Sequence, residues 1–508
     1  MNLLTKLEKR KDIWSLLLLS SLFSLLRVPS LFEPYWYGDE GIYQAMGDAM
    51  NSGRLLYSEV WDNKPPLLYA LYALFHSDQF TIRLVSLLFG LGAITIFFLL
   101  SQRLFKALYA RILSVSIFAI LLGLPFIEGN IANAENFILL PIIFSVYSIV
   151  KQSDTIELRS RLTTIHTFFS PHLIRKLFLP GLCCGIAFLF KIVALFDFMA
   201  LLTLVFFLSF SQPLSFSTLR KELRTYVSGI RLFITGFFLP LILTSLYFLL
   251  RGSFMPFFQS SFLGNINYVG YSNTFVIPQG LLLIKLFCLA LAVCIIFLFR
   301  KKLPLSLLII LTWVSYSLFN VFFAQRPYAH YLLVILPSLS LLMGSTVEYK
   351  QWQKPLSILT MGILFLLVTI FKIYAFRNPV PYYVNFLSYV TGQKSVNSYR
   401  DFFDKNVNKN YLIAEYLKVH TNPQDVVYLW GNSAQVYHLS HTIPPGKYVV
   451  AYHVAYNKLA IRETERAIES TRPRFLVIQP DESTYPFSLD GYVYKLTILD
   501  AQIYEKVY

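Results

Sequence analysis

The sequence predicts a multi-pass α-helical membrane protein with a small α/β domain at its C-terminal end. Of its 508 residues, 56% are hydrophobic and only 14% are charged. A soluble chain of this length could not bury so much apolar surface. Long apolar runs also dominate up to about residue 375, whereas the remaining part mixes polar and apolar positions. These two observations together predict the fold class.

Eleven apolar runs are long enough to cross a bilayer, whose hydrocarbon core of about 30 Å requires roughly 17–25 helical residues. The predicted spans are 13–31, 80–102, 110–127, 135–151, 177–190, 192–210, 230–250, 280–299, 303–324, 331–347 and 355–375. The fifth and sixth are short and meet at Lys191. The first run lacks a small-residue cleavage site and leads directly into a polar segment, so we expect a membrane span and not a signal peptide.

Lysine and arginine lie mostly on one side of the predicted spans. That side holds 21 of them, whereas the opposite loops up to residue 330 hold five: Arg54, Lys64, Lys191, Arg251 and Arg326. The positive-inside rule then predicts a cytoplasmic N-terminus and, with an odd number of spans, an extracytoplasmic C-terminus in the cell inner (cytoplasmic) membrane. The same asymmetry accounts for the net charge of +16 without a nucleic-acid partner.

The predicted domains are a transmembrane domain over residues 1–378, with a first outer loop at about 32–79, and an extracytoplasmic α/β domain over 379–508. Strands at 425–430 and 474–479 flank a helix at about 458–470, and an amphipathic helix ends near residue 417. This domain shows neither a nucleotide-binding loop nor a catalytic triad. The four cysteines fall within apolar runs, which predicts packing residues and no disulfide framework or metal site.

Ionisable residues gather on the predicted outer face. Charged groups at a membrane border hold water, ions, a substrate or each other. One shared outer-face site is therefore the simplest prediction. The residues that map there are Asp39, Glu40, Lys64, Glu128, Glu135, Lys191, Arg326 and His330.

Asp39 and Lys64 each have two interpretations. Asp39 could accept a proton from a hydroxyl nucleophile, or it could cap a helix beginning at Gly41, with Glu40 in the first turn. Lys64 precedes Pro65-Pro66, which we expect to start a helix over Leu67–Phe75. At headgroup depth it could bind a lipid phosphate or simply snorkel towards water.

Two later motifs carry further polar residues. Glu135 heads a predicted helix beside Asn133 and Asn136, whereas Glu128 is expected only to mark the water boundary. The segment Arg326-Pro-Tyr-Ala-His-Tyr331 combines an arginine suited to phosphate with tyrosines suited to a sugar or a headgroup. An interfacial aromatic belt is the alternative interpretation of this segment.

Four motifs resemble the bacterial branch of the protein O-mannosyltransferase family, whose members are GT-C fold membrane glycosyltransferases related to the lipid A aminoarabinose transferases. The resemblance covers most of the chain in order. Its motifs are Gly38-Asp-Glu-Gly41, Trp61-Asp-Asn-Lys-Pro-Pro-Leu67, Asn133-Ala-Glu135, and Arg326-Pro-Tyr-Ala-His-Tyr331 with Pro337.

The resemblance implies that a sugar passes from a polyprenyl-phosphate donor to a hydroxyl acceptor on the outer face, with inversion. It implies no cofactor and no metal. The resemblance assigns Asp39 as the catalytic carboxylate, which acts as the base, with Glu40 as its neighbour, and Lys64 as a phosphate contact. Donor-site roles fall to Arg326, His330 and Tyr331, and supporting roles to Asp62, Asn133, Glu135 and Lys191.

Two alternatives remain open from the sequence. A transporter or flippase would place ionisable groups near the bilayer midplane, where Asp197 and Lys285 are candidates that we expect to pair locally or snorkel. A membrane-anchored binding module would do its work through residues 379–508. The sugar and the acceptor (protein, lipid or envelope glycan) are open, and the loop 251–279 is predicted to cover the substrate.

Overall fold

The computed structural model describes residues 3–157, 175–209, 216–265, 282–323, 326, 328–372, 378–480 and 484–507. The chain divides into two compact units. The first unit comprises residues 1–28, 86–246 and 266–377, and the second comprises residues 29–85, 247–265 and 378–508. Most of the predicted cover loop, residues 266–279, lies outside the described residues.

Long apolar helices form the multi-pass part of the chain, as predicted. Among the described residues, seven helices are long and apolar enough to cross a membrane. They are Leu3–Arg27, Gln79–Leu104, Ala134–Glu157, Arg231–Leu250, Leu282–Phe299, Leu305–Phe323 and Gln353–Ile370. Shorter apolar helices are Leu108–Gly123, Phe178–Phe190 and Leu195–Ser209, and an amphipathic helix covers Phe216–Gly229.

The predicted span 331–347 does not begin as an α-helix. A 3₁₀ segment, Ala329–Val334, precedes the helix Leu336–Glu348. Each of the eleven predicted spans thus overlaps a helix, although how many of them cross the membrane stays a prediction. The two ionisable residues within spans were expected to pair locally or to snorkel, and both make a local hydrogen bond. Asp197 accepts a hydrogen bond from Trp313 Nε1 at 2.9 Å, and Lys285 donates to the Phe322 carbonyl at 2.7 Å.

Glycines bring two helices of the first unit into close contact and so position Lys191. A Cβ atom on Gly181 or Gly185 would meet the backbone carbonyls of Phe233 and Phe237 on the facing helix. Small residues at such contacts let helix backbones approach in lipid. Lys191 follows directly as the C-cap of the helix Phe178–Phe190, so this packing fixes where its side chain begins.

The second unit combines short helices with a four-stranded sheet. Its helices are Gly38–Asn51, Pro66–Leu74, Phe254–Phe258, Pro379–Val390, Val396–Asp401, Val407–His420, Gln435–Ser440, Ala451–Val454 and Lys458–Thr471. The strands are β1 (Val427–Trp430), β2 (Phe475–Ile478), β3 (Tyr492–Ile498) and β4 (Ala501–Lys506), in the order β1-β2-β4-β3.

The first two strands and the helix between them confirm the predicted α/β domain. β1 and β2 are parallel, with Val427 opposite Phe475, which is the arrangement that a crossover helix produces. The hairpin β3–β4, which pairs antiparallel with β2, was not predicted. Its outer strand is largely exposed, so the hydrophobic pattern that marks a buried strand is weak there.

Candidate active site

Asp39 lies in the first turn of the helix Gly38–Asn51. Residue Tyr37 occupies the N-cap position without a side-chain cap hydrogen bond, so the predicted capping role of Asp39 is wrong. The helix begins three residues before the predicted start. Asp39 and Glu40 therefore both sit where the helix dipole favours negative charge.

Lys64 lies between two carboxylates. Its Nζ atom is 3.5 Å from Asp39 Oδ2 and 3.7 Å from Asp62 Oδ2, and it lies 4.8 Å from the centre of the Tyr43 ring. The Tyr43 hydroxyl donates to Asp39 Oδ2 at 3.0 Å. The ammonium is thus directed at protein carboxylates and not at open water, unlike a snorkelling lysine. Asp39 keeps 35% of its side chain exposed and so stays accessible to a substrate.

Buried hydrogen bonds hold the backbone on both sides of Lys64. The Tyr69 hydroxyl donates to Asp62 Oδ2 at 2.7 Å and accepts from the Lys64 backbone N–H at 3.2 Å. The Tyr57 hydroxyl donates to the Lys64 carbonyl at 2.7 Å. Burial, reinforced by the Asp62 charge, raises the pKa of Tyr69 well above its usual value, so the phenol remains a donor. Pro66 then begins the helix Pro66–Leu74, one residue earlier than predicted.

Glu40 belongs to a buried ionic cluster with Arg83 and Glu33. Arg83 Nε lies 3.0 Å from Glu40 Oε1, and Arg83 Nη1 lies 2.8 Å from Glu33 Oε2. Glu33 also accepts hydrogen bonds from Trp36 Nε1 at 2.7 Å and from the Tyr382 hydroxyl at 2.6 Å. The side chains of Arg83, Glu33 and Glu40 are at most 2% exposed. Because it belongs to this buried cluster, Glu40 holds the start of the Asp39 helix in place.

Arg83 was not among the predicted site residues, although the sequence contained a signal for it. The residue lies inside the predicted span 80–102, and an ionisable residue in a span is by default a candidate for a specific role. No local pattern pointed to Glu33, its partner in the folded chain.

A second ionic cluster lies in the first unit. Lys191 Nζ forms an ion pair with Glu135 Oε1 and lies 4.5 Å from the centre of the Tyr331 ring. His330 bridges two carboxylates, with Nδ1 2.7 Å from Glu128 Oε2 and Nε2 3.7 Å from Glu135 Oε1. Four predicted residues thus meet, and Glu128 joins them. The prediction that Glu128 only marks the water boundary is therefore wrong.

Two other predicted residues lie beside this cluster. Arg326 Nη1 is 3.4 Å from the Tyr328 hydroxyl, and the Tyr328 ring stacks on His330 at 5.7 Å. Asn133 is 1% exposed and immediately precedes the helix that carries Glu135. Within the described ranges, no group of three or more His, Cys, Asp or Glu residues is arranged to hold a metal ion.

The predicted outer-face residues therefore fall into two clusters, each within one unit. The Asp39–Lys64 cluster contains Asp39, Asp62 and Lys64, with Glu40 in the adjoining network. The first-unit cluster contains Glu128, Glu135, Lys191, His330 and Tyr331. The single shared site expected from the sequence stays a prediction.

Comparisons with known proteins show the fold. No protein-family model and no curated protein matches the chain. Its structure is similar to ArnT from Cupriavidus metallidurans bound to undecaprenyl phosphate, with a TM-score of 0.54, 12% identity, and coverage of 96% of this chain and 97% of that one. The apo form of the same ArnT gives a TM-score of 0.52 at the same identity and coverage.

An archaeal oligosaccharyltransferase, AglB from Archaeoglobus fulgidus, is more distant, with a TM-score of 0.46 and 12% identity over 93% of this chain and 70% of that chain. The likeness to ArnT extends over nearly the full length of both chains. This protein therefore has the predicted GT-C fold: a multi-pass helical membrane part with a small C-terminal sheet domain.

Proposed function

We propose that this protein is a membrane glycosyltransferase that moves a sugar from a polyprenyl-phosphate-linked donor to a hydroxyl acceptor. The observation that carries the proposal is the Asp39–Lys64 pair, an accessible carboxylate 3.5 Å from an ammonium at the start of a helix. A general base and a phosphate-binding cation side by side are what transfer from a sugar phosphate to a hydroxyl requires.

The arrangement suggests how donor binding prepares the base. In the free protein Asp39 and Asp62 are the counterions of Lys64. A donor phosphate that binds the Lys64 ammonium takes over part of this role and leaves Asp39 available for an acceptor proton. The charge of the departing phosphate is then offset by Lys64 as it develops.

The reaction balances without a further reactant. Asp39 accepts the proton of the acceptor hydroxyl, and the oxygen forms a bond to the anomeric carbon. The bond between that carbon and the phosphate oxygen breaks, and the electron pair leaves with the polyprenyl phosphate. Attack opposite the leaving group inverts the anomeric centre.

Two observations support a lipid-linked donor. The fold is that of ArnT, whose structure was solved with undecaprenyl phosphate. In addition, an apolar groove of about 610 Å³ opens among the helices of the first unit, with Phe89, Leu140 and Ile186 among its lining residues. Such a groove suits an isoprenoid chain. The roles of Arg326, His330 and Tyr331 as donor contacts, and of Glu135, Asn133 and Lys191 as supporting residues, are part of the same proposal.

The orientation is also part of the proposal. A cytoplasmic N-terminus in the inner membrane would place the reaction on its outer face, where a protein, a lipid or an envelope glycan could supply the hydroxyl. No cofactor or metal is proposed.

The test is to incubate purified protein with a panel of polyprenyl-phosphate sugars and to measure donor consumption. Asp39→Asn keeps the side-chain shape but loses the base, and should lower transfer by about 10²–10⁴-fold while donor binding survives. The matched control is Asp490→Asn at an exposed position. Full activity in Asp39→Asn would eliminate Asp39 as the base.

Lys64→Ala tests the phosphate contact. We expect a higher donor KM because the cation is lost, whereas Lys458→Ala, at an exposed position, should leave KM unchanged. Unaltered donor KM and kcat in Lys64→Ala would contradict the phosphate-binding role of Lys64. Movement of labelled polyprenyl-phosphate sugar across proteoliposomes without any product would instead indicate the transporter alternative.

A further inference from the structure

Trp61, three residues before Lys64, is held by the C-terminal part of the second unit. Its backbone N–H donates to the Lys447 carbonyl at 2.9 Å. Its indole ring meets the Tyr448 ring edge-on at 5.5 Å and the His453 ring at 5.0 Å. The contacts thus combine one backbone hydrogen bond with two aromatic packing contacts, which have a preferred geometry.

The residues that hold Trp61 are themselves anchored. Glu463, on the helix Lys458–Thr471, accepts a hydrogen bond from the Tyr448 hydroxyl at 3.1 Å and lies 3.4 Å from Lys447 Nζ. On the other side of Trp61, its indole Nε1 donates to Ser260 Oγ at 2.9 Å. Trp61 is therefore fixed against a folded domain and not against a free loop.

His453 lies within electrostatic reach of the Asp39–Lys64 cluster. Burial is the main cause that lowers its pKa to about 4, and the charges of Asp62, Lys64 and Asp39 also act on it. The imidazole is thus neutral near pH 7 and adds no second cation beside Lys64. Its Nδ1 atom is buried and makes no hydrogen bond to any described residue. Its ring contacts the rings of Trp61 and Tyr452.

We propose that Tyr448 and His453 are positioning residues that hold the Trp61–Lys64 segment and thereby set the affinity of Lys64 for a lipid-linked phosphate. The proposal rests on the phosphate role of Lys64 given above. The C-terminal domain is then a component of the phosphate site rather than a separate binding module. Because a displacement of about 1 Å can lower catalytic efficiency by as much as about 10²-fold, loss of either ring should be measurable.

The test compares Tyr448→Ala and His453→Ala with the wild-type full-length protein, using undecaprenyl phosphate as the binding probe and a polyprenyl-phosphate sugar as the substrate. We expect the Kd for undecaprenyl phosphate and the donor KM to rise about tenfold, within the range that misplacement allows. Tyr448→Phe keeps the ring but loses the hydrogen bond to Glu463, so its Kd should lie closer to the wild-type value than the Kd of Tyr448→Ala does. Tyr494→Ala, an exposed tyrosine on β3, is the matched control.

Hydrogen exchange supplies a readout that does not depend on activity. The Trp61 amide is bonded to the Lys447 carbonyl, so a peptide containing Trp61–Lys64 should exchange faster in Tyr448→Ala and His453→Ala than in the Tyr494→Ala control. Exchange and lipid-phosphate affinity that match the control would overturn the inference.

The outcomes separate the inference from the proposed function. Wild-type protein that binds undecaprenyl phosphate but transfers no sugar would refute the glycosyltransferase and leave the positioning role standing. Normal transfer combined with unchanged Kd and KM in both alanine variants would refute the positioning role alone. Wild-type protein that binds no lipid phosphate would overturn both.

Discussion

Arg83→Met tests whether the buried ionic cluster holds the start of the Asp39 helix. The side chains of Arg83, Glu33 and Glu40 are 0%, 0% and 2% exposed. Methionine fills similar space without charge, so the substitution leaves two carboxylates without their shared cation. Removing one partner of a buried ion pair costs about 3–5 kcal/mol.

The expected shift in melting temperature follows from the size of the unit. For roughly 150–250 residues, 1 kcal/mol corresponds to about 2–4 °C, so Arg83→Met should lower the apparent Tm by roughly 6–20 °C. Intrinsic-fluorescence melting of the purified protein in detergent measures this. Arg466→Met, at an exposed position, should change stability by no more than about 0.5 kcal/mol.

A second variant separates charge from packing. Adding Glu40→Gln to Arg83→Met removes one of the stranded charges, whereas Glu33 keeps its donors Trp36 and Tyr382. The double variant should therefore melt above Arg83→Met. A wild-type Tm in Arg83→Met, or a double variant that melts below the single one, would contradict the stabilising role of this ionic cluster.

The remaining predictions concern one glycine contact and one histidine. Gly41→Ala should destabilise the protein by about 1–3 kcal/mol, because the new Cβ would lie 2.8 Å from the backbone nitrogen of Gln435. Gly38→Ala is the control, since its Cβ would meet nothing within 4 Å, and equal Tm values for the two would contradict the contact. Because of His453, the free energy of unfolding should fall as the pH drops. Its folded-state pKa of about 4 lies below the usual value near 6.5, so protonation in that window favours the unfolded chain. His453→Phe should lose less Tm than the wild type between pH 7.5 and pH 4.5, and parallel pH curves would argue against a buried neutral imidazole.

Several features of the candidate site were predictable because they depend on local sequence. The prolines after Lys64 mark a helix start, and the acidic pair at Asp39 marks a helix beginning near it. The exact first residue was not predictable. Tyr37 is an unfavourable N-cap residue, so the local preference for Asp as a cap gave the wrong boundary.

Contacts between distant residues were beyond local patterns. The pairing of Glu128 with His330 joins positions 202 residues apart, and a short outer turn containing a glutamate gives no indication of it. The same holds for His453 beside Trp61. Arg83 stood out as a charge in an apolar run, but only the folded chain shows that Glu33 and Glu40 share it.

From the sequence alone, the membrane class, the approximate positions of the apolar helices and a strand–helix–strand core in the terminal domain could be predicted. The length of an apolar run and its hydrophobic period are local properties of the sequence. In a bilayer such a run forms a helix because its backbone N–H and C=O groups must hydrogen-bond within the segment. The folded chain was needed to show that Lys64 faces Asp39 and Asp62, that Lys191 pairs with Glu135, and that Tyr448 and His453 contact Trp61. Ion pairs and ring contacts depend on side chains meeting within a few ångströms, and chain folding alone brings together residues that are far apart in sequence.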